Sequence, residues 1–252
     1  MSLGRLRSAV HLFLRGKDAI RVASVVGTED SRHPVESSWF QEAGRQINAR
    51  GIFVGCPLEA FEYSSRDPLC LALMEGLTPD STVLEVGCGC LRVGYWFVRY
   101  LNAGKYFALE PNQRMLEAGR ELILRQMEAE KRPVFSLGDD FDFEVFATGF
   151  DFVIVFSIWT HASKAQIARM LDQFGSTARP RGKFIASWFP ASSDRPDYQG
   201  TSWVGRSHQS DRPGIVGHSI DWIREAVSAR GLRLRIVEGF TTLNQDWLII
   251  SK

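Results

Sequence analysis

Apolar positions along the chain fall into two kinds of pattern. Short strand-like segments occur at 82–87, 105–109, 133–137, 151–156, 183–189, 232–238 and 246–251, with a short apolar run in the first and a continuous one at 151–156. Such runs suit strands buried on both faces, as in a parallel sheet covered by helices. Between them lie stretches of helical period. Leu69, Leu73, Met74 and Leu77 share one face after Asp67-Pro68, which reads as an N-cap with proline in the first turn. A helix is expected over 91–101. A longer one over 112–130 turns Met115, Leu116, Leu122, Ile123 and Met127 inward. Ser163-x-x-Gln166 is a capping box opening a helix with Ile167, Met170, Leu171 and Phe174 on its face, and Gly231 stops a helix over 219–229. The alternation predicts an α/β fold with a seven-stranded, mostly parallel sheet. Its final two strands have no helix between them, so the last should run antiparallel.

Three stretches stand outside that alternation. In residues 1–27, Leu3, Leu6, Val10, Phe13 and Leu14 fall at helical spacing beside Arg5, Arg7, Arg15, Lys17 and Arg21. This reads as a basic amphipathic helix, packed on its own domain or on a dimer mate, or else leaning on an anionic membrane surface. Residues 28–65 add a short helix with Trp39, Phe40, Ala43 and Ile47, then a loop broken by glycine and proline. Together these make an N-terminal extension over 1–65 before a main domain over 66–252. Residues 190–217 lack periodicity and carry Pro190, Pro196, Pro213, Tyr198, Trp203, Arg206 and His208. An aperiodic stretch of this length inside a compact domain reads as a lid-like insertion over a ligand.

The chemistry concentrates where the first strand meets the first helix, in Glu85-Val86-Gly87-Cys88-Gly89. Glycines at a strand-to-helix turn let the backbone approach a ligand, and the helix beyond aims free N–H groups at it. One βαβ unit later, Leu109-Glu110-Pro111-Asn112 ends the second strand on a carboxylate, which can accept from both hydroxyls of a ribose. From about residue 66 onward the chain resembles the class I S-adenosylmethionine-dependent methyltransferases, with Glu85 to Gly89 like their first motif. Gly-Cys-Gly-x-Leu-Arg-x-Gly over 87–94 is similar to a bacterial subgroup associated with glycan or small-metabolite modification. The resemblance implies a Rossmann-like sheet, S-adenosylmethionine as cofactor, and an N-terminal addition that covers cofactor or binds substrate.

Ligands in open α/β sheets lie beyond the carboxyl ends of the strands. The cofactor-binding set expected there is Glu85, Gly87, Cys88, Gly89, Arg92, Glu110, Pro111, Asp139, Asp140, Phe141 and Ser157. Glu85 would tie down the glycine turn or the methionine ammonium. Arg92 would reach the cofactor carboxylate or pair locally on its helix. One of Asp139 and Asp140 would take the adenine amino group, with Phe141 on the ring. Ser157-Ile158-Trp159-Thr160-His161 resembles the subgroup's Ser-x-Phe-Thr-His stretch. An imidazole there can accept a hydroxyl proton near neutral pH, which makes His161 the candidate base and His208 and His218 its alternates. Trp159, Trp188, Tyr198, Trp203 and His208 are the candidate substrate contacts. No Asn/Asp-Pro-Pro-Tyr motif is present, which tilts the reading toward O-methylation of a small molecule or glycan.

Composition narrows the alternatives. Thirty basic against 29 acidic residues give no global field for nucleic acid. Cys56, Cys70, Cys88 and Cys90 form no CxxC or disulfide pattern, and no metal site is expected. No apolar stretch approaches the ~20 residues that span a bilayer, and Ala9 to Leu14 is short for a signal-peptide core, so a cytoplasmic setting is the default. Two competing readings remain. An NAD-dependent oxidoreductase would also use Gly87, Gly89 and Glu110, though Arg92 stands where the third fingerprint glycine belongs. A non-catalytic cofactor-binding scaffold would bind without turnover.

Overall fold

The computed structural model describes residues 38–125, 127–205 and 214–252. The expected helix over 1–27 and the candidates Arg206 and His208 lie outside the described residues. Strands β1 (Val83–Val86), β2 (Tyr106–Leu109), β3 (Val134–Ser136), β4 (Phe150–Val155), β5 (Ala178–Trp188), β6 (Arg233–Thr242) and β7 (Gln245–Ser251) form one sheet in the order β3-β2-β1-β4-β5-β7-β6. β1 to β5 pair in parallel, and β7 lies antiparallel between β5 and β6. The direction of the chain across the sheet reverses between β1 and β4, which opens a crevice beyond their carboxyl ends.

Alternate residues of each strand serve two cores. Leu84, Val86, Val153, Val155 and Phe184 face the helices α6 (Lys164–Thr177) and α7 (Ile220–Ser228), which contribute Ile167, Met170, Phe174, Ile223 and Val227. Val83, Tyr106, Ala108, Ile154 and Ile185 face α2 (Asp67–Met74) and α3 (Gly94–Tyr100) through Leu71, Ala72, Phe97 and Val98. The capping box at Ser163 and Gln166 forms as expected, each side chain bonded to the other's backbone. Asp67 is the first residue of α2 rather than its cap. Its carboxylate instead accepts from Thr242 Oγ1 at 2.5 Å, across to the last hairpin.

A third core seats the N-terminal unit. α1 (Trp39–Ala49) buries Phe40, Ala43 and Ile47 against Tyr95, Ala118, Leu122 and Ile123. Ser38 caps it, accepting from the Gln41 N–H at 3.1 Å. Several hydrogen bonds tie the unit to the sheet domain: Arg92 Nη1 donates to Ser64 Oγ at 2.8 Å, Trp96 Nε1 donates to Ser65 Oγ at 2.7 Å, and Arg50 donates to both carboxylate oxygens of Glu121 at 2.7 and 2.9 Å.

The long helix expected over 112–130 is interrupted. α4 (Gln113–Gly119) runs into one π-helical turn over Arg120–Leu124, the backbone reverses at Arg125 (φ 49°), and α5 (Met127–Lys131) follows. The segment is wedged between two cores, with Leu122 and Ile123 turned to one and Leu124 to the other. A regular helix with a single apolar stripe does not fit that place.

Insertion residues 190–205 and 214–217 are tied down rather than free-standing. Val204 N–H donates to the His161 carbonyl at 2.8 Å and Val216 N–H to the Thr160 carbonyl at 2.8 Å. Asp197 takes the Ser219 N–H at 2.8 Å and pairs with Lys164 at 2.6 Å.

Candidate functional site

Two adjoining cavities open at the carboxyl ends of β1, β2 and β4. The first is lined by Glu85, the glycine turn, Arg92, Glu110, Ser157, His161 and Trp203, with Phe53 to Gly55 of the N-terminal unit at its rim. The second is lined by Pro111, Gly138, Asp139, Phe141 and, again, Trp203. Ile158 borders both. A Cβ added at Gly87 would overlap the Ile158 side chain, and Gly87 stands at φ +72°. Both constraints restrict that position to glycine.

The glycine turn is built from the second strand as much as from the first. Gly87 and Cys88 N–H groups donate to the Leu109 carbonyl at 2.8 and 3.2 Å. Glu110, 1% exposed, accepts from the Gly89 N–H at 2.7 Å and the Asn112 N–H at 2.8 Å. Burial raises its pKa and those two backbone donors hold it down.

Glu85, 3% exposed, accepts from Tyr106 Oη at 2.6 Å. Burial pushes its carboxyl up to about 7, against the pull of the Tyr106 hydroxyl and the Arg92 charge. Arg92, 6% exposed, packs its guanidinium 5.3 Å from the centre of the Phe156 ring. Among the described residues it donates to Ser64 and forms no ion pair within 4.0 Å. A buried cation and a buried carboxyl therefore border one small cavity without touching, an arrangement that suits the two charges of an α-amino acid.

The acidic doublet separates by geometry. Asp139 lines the second cavity, whereas Asp140 turns back to accept from the Asp142 N–H at 3.2 Å. Phe141, at φ +58°, packs beside Asp139. Cys88 lines the first cavity, but burial lifts its thiol far above the range in which thiolate forms.

His161 borders the first cavity. Its Nδ1 lies 2.7 Å from the Val204 carbonyl and its ring stacks on Trp203 at 5.4 Å. Only a protonated Nδ1 can donate to that carbonyl, so in the neutral ring the basic nitrogen is Nε2. Burial lowers its pKa, opposed by backbone hydrogen bonds to Val204 and Gly214.

Other expected contacts lie elsewhere. Trp159 and Trp188 are 0% and 2% exposed and line neither of the two cavities, because they are packed into the core between the sheet and α6 and α7. Tyr198 packs outside both cavities, its hydroxyl donating to the Ser202 carbonyl at 2.9 Å. His218 is fully buried, its Nε2 3.1 Å from the carbonyls of both Trp159 and Ala162, and it fastens the end of the insertion. Sequence reasoning missed Phe53 to Gly55, Met115 and Ile158. The glycine-broken loop was the one available sign for the first group.

Residues 83–182 match the family model of a methyltransferase domain. Among solved structures, the fold is shared with magnesium protoporphyrin IX methyltransferase from Synechocystis with bound S-adenosylhomocysteine, at 14% identity over 86% of this chain and 97% of that one (TM-score 0.57). It is shared with the glycopeptide N-methyltransferase MtfA in complex with S-adenosylmethionine, at 17% identity over 75% and 92% (TM-score 0.53). An O-methyltransferase family protein from Burkholderia thailandensis matches at 15% identity over 74% and 55% (TM-score 0.51). The matched domain spans the glycine turn, the Glu110 carboxylate and the strands around them, and the seven-stranded sheet has the Rossmann-like fold of these methyltransferases.

Proposed function

We propose that the chain methylates a hydroxyl oxygen of a small molecule or a sugar, with His161 as the base. In this reading Glu110 holds the cofactor's ribose, Asp139 and Phe141 its adenine, Glu85 its ammonium and Arg92 its carboxylate. The residues fit the group: a carboxyl and a guanidinium border the same cavity, and the glycine turn leaves no Cβ in the way. When bound, S-adenosylmethionine supplies a methyl on sulfonium, so the protein's remaining task is alignment and removal of a proton.

The observation that carries the reading is His161 itself, bordering the same cavity as the glycine turn with one nitrogen committed to Val204. A hydroxyl with a solution pKa well above 10 is a poor nucleophile at neutral pH, and a positioned base typically contributes ~10²–10⁴-fold. Phe53 and Trp203, which line the same cavity, would enclose the acceptor, with Trp203 stacked on the imidazole. The fold alone does not choose the atom, since both N- and O-methylating proteins share it.

The test is release of S-adenosylhomocysteine from S-adenosylmethionine across a panel of hydroxylated small molecules and glycans. His161→Ala should lower kcat at least 100-fold while cofactor affinity stays within about twofold. Because burial lowers the His161 pKa, the acid limb of the wild-type profile should fall below the ordinary histidine value of about 6.5, and vanish in the variant. A rate loss under fivefold would refute the assignment. Cofactor binding with no turnover on any acceptor would favour a scaffold.

A further inference from the structure

Ser157 follows β4 with φ +58°, in the left-handed region that glycine enters freely and serine does not. It borders the first cavity, next in sequence to the Phe156 ring beneath Arg92. Behind it sits a closed ring of hydrogen bonds. Ser157 N–H donates to Ser187 Oγ at 2.7 Å, Ser187 Oγ–H donates to Gln245 Oε1 at 2.6 Å, and Gln245 Nε2 donates to Ser157 Oγ at 2.6 Å. Ser187 and Gln245 are 0% and 5% exposed.

The direction of each bond is determined. Ser187 oxygen already accepts from Ser157, and its own proton needs an acceptor, which Gln245 Oε1 provides. The amide is thereby oriented with its NH₂ toward Ser157, so the Ser157 oxygen accepts and its proton is left over. That proton belongs to a side chain bordering the cavity. A strained residue persists only where the surroundings over-determine it, and such strain gathers at ligand sites.

We propose that Ser157 donates this hydroxyl proton to the carboxylate at the amino-acid end of the cofactor, and that Gln245 and Ser187 are positioning residues that keep it a donor. Of the cavity's two carboxyls Glu85 answers the ammonium and Glu110 the ribose, and Arg92 and Ser157 supply donors for the carboxylate. The proposal rests on the cofactor placement given above.

Titration calorimetry with S-adenosylhomocysteine, and with 5′-methylthioadenosine, which lacks the amino-acid end, tests it alongside thermal melting. Ser157→Gly removes the hydroxyl and relieves the backbone, so it should melt at or above the wild-type temperature. Its affinity for S-adenosylhomocysteine should fall about tenfold or more, as for a lost hydrogen bond to a charged group, with 5′-methylthioadenosine unaffected. Gln245→Met should lose part of the same affinity in the wild-type background and nothing further in Ser157→Gly. Equal affinity of Ser157→Gly and wild type, equal losses for the two ligands, or additive losses in the double variant would each overturn the proposal. Failure of the wild type to bind S-adenosylhomocysteine would instead overturn the cofactor placement beneath it.

Discussion

Glu85 and Glu110 are both buried at the ends of neighbouring strands, yet their surroundings differ. Glu110 meets two backbone N–H groups, which favour its charged form; Glu85 meets one tyrosine hydroxyl and is pushed up to about 7. For Glu85 the folded-state value lies above the unfolded one, so the folded protein binds the extra proton. Its contribution to stability is present at low pH and is lost as pH rises from the ordinary carboxylate range through about 7. Glu85→Gln should therefore melt higher than wild type at pH 8 and similarly at pH 5. Affinity for S-adenosylhomocysteine should climb with pH through about 7 in the wild type and be flat over that range in Glu85→Gln, because only the carboxylate form answers an ammonium. A wild-type affinity independent of pH between 5.5 and 8 would refute the pairing. Glu110→Ala should weaken cofactor binding more than tenfold, by roughly 1.5–3 kcal/mol per charge-assisted hydrogen bond lost. Unchanged affinity in the folded variant would end the ribose assignment.

α4 lies flush against the glycine turn at Gly119, where a Cβ would overlap the backbone of Cys90. Backbone cannot step aside as a side chain tip can. Gly119→Ala should thus destabilise by about 1–3 kcal/mol and loosen cofactor binding with it; a variant as stable as wild type would show that the helix shifts freely. The same helix shows where the chain's patterning is readable. The inner strands are legible because they are buried on both faces and read as unbroken apolar runs. The π-helical turn is not, because residues 122–124 serve two cores and no single period describes them. β5 begins at Ala178, five residues before its apolar run, because its pairing with β4 shifts register between Phe150 and Phe152. Trp159 and Trp188 show the limit for sites: position at a strand end is readable, but the direction of a side chain is a property of the packing.

Across the whole molecule, the first cavity is completed by three separate stretches: the sheet domain, the loop at 53–55 and Trp203 of the insertion. The glycine turn and Glu110 were legible because local chain chemistry makes them, whereas Asp139 and Asp140 were legible only as an unresolved doublet. Phe53 and Gln245 were not, because only tertiary contact brings them there. Arg92 joins the parts, with its guanidinium bonded to Ser64 of the N-terminal unit and bordering the cavity. Cofactor binding should therefore slow amide exchange over 52–65, and less so in Ser64→Ala. Identical exchange with and without S-adenosylhomocysteine would mean that the unit docks independently of the site.

The order of the strands also sets a timetable. Among the described residues β6 pairs with the sheet only through β7, and β7 carries Gln245 at its start. While the chain is still being made, β5 has an open edge, β6 has nowhere to pair, and Ser157 has no amide behind it, even though the glycine turn and both acidic strand ends emerged more than a hundred residues earlier. A nascent chain halted before residue 245 should expose that edge to chaperones and fail to retain S-adenosylhomocysteine, and release of seven more residues should close the sheet and complete the site together.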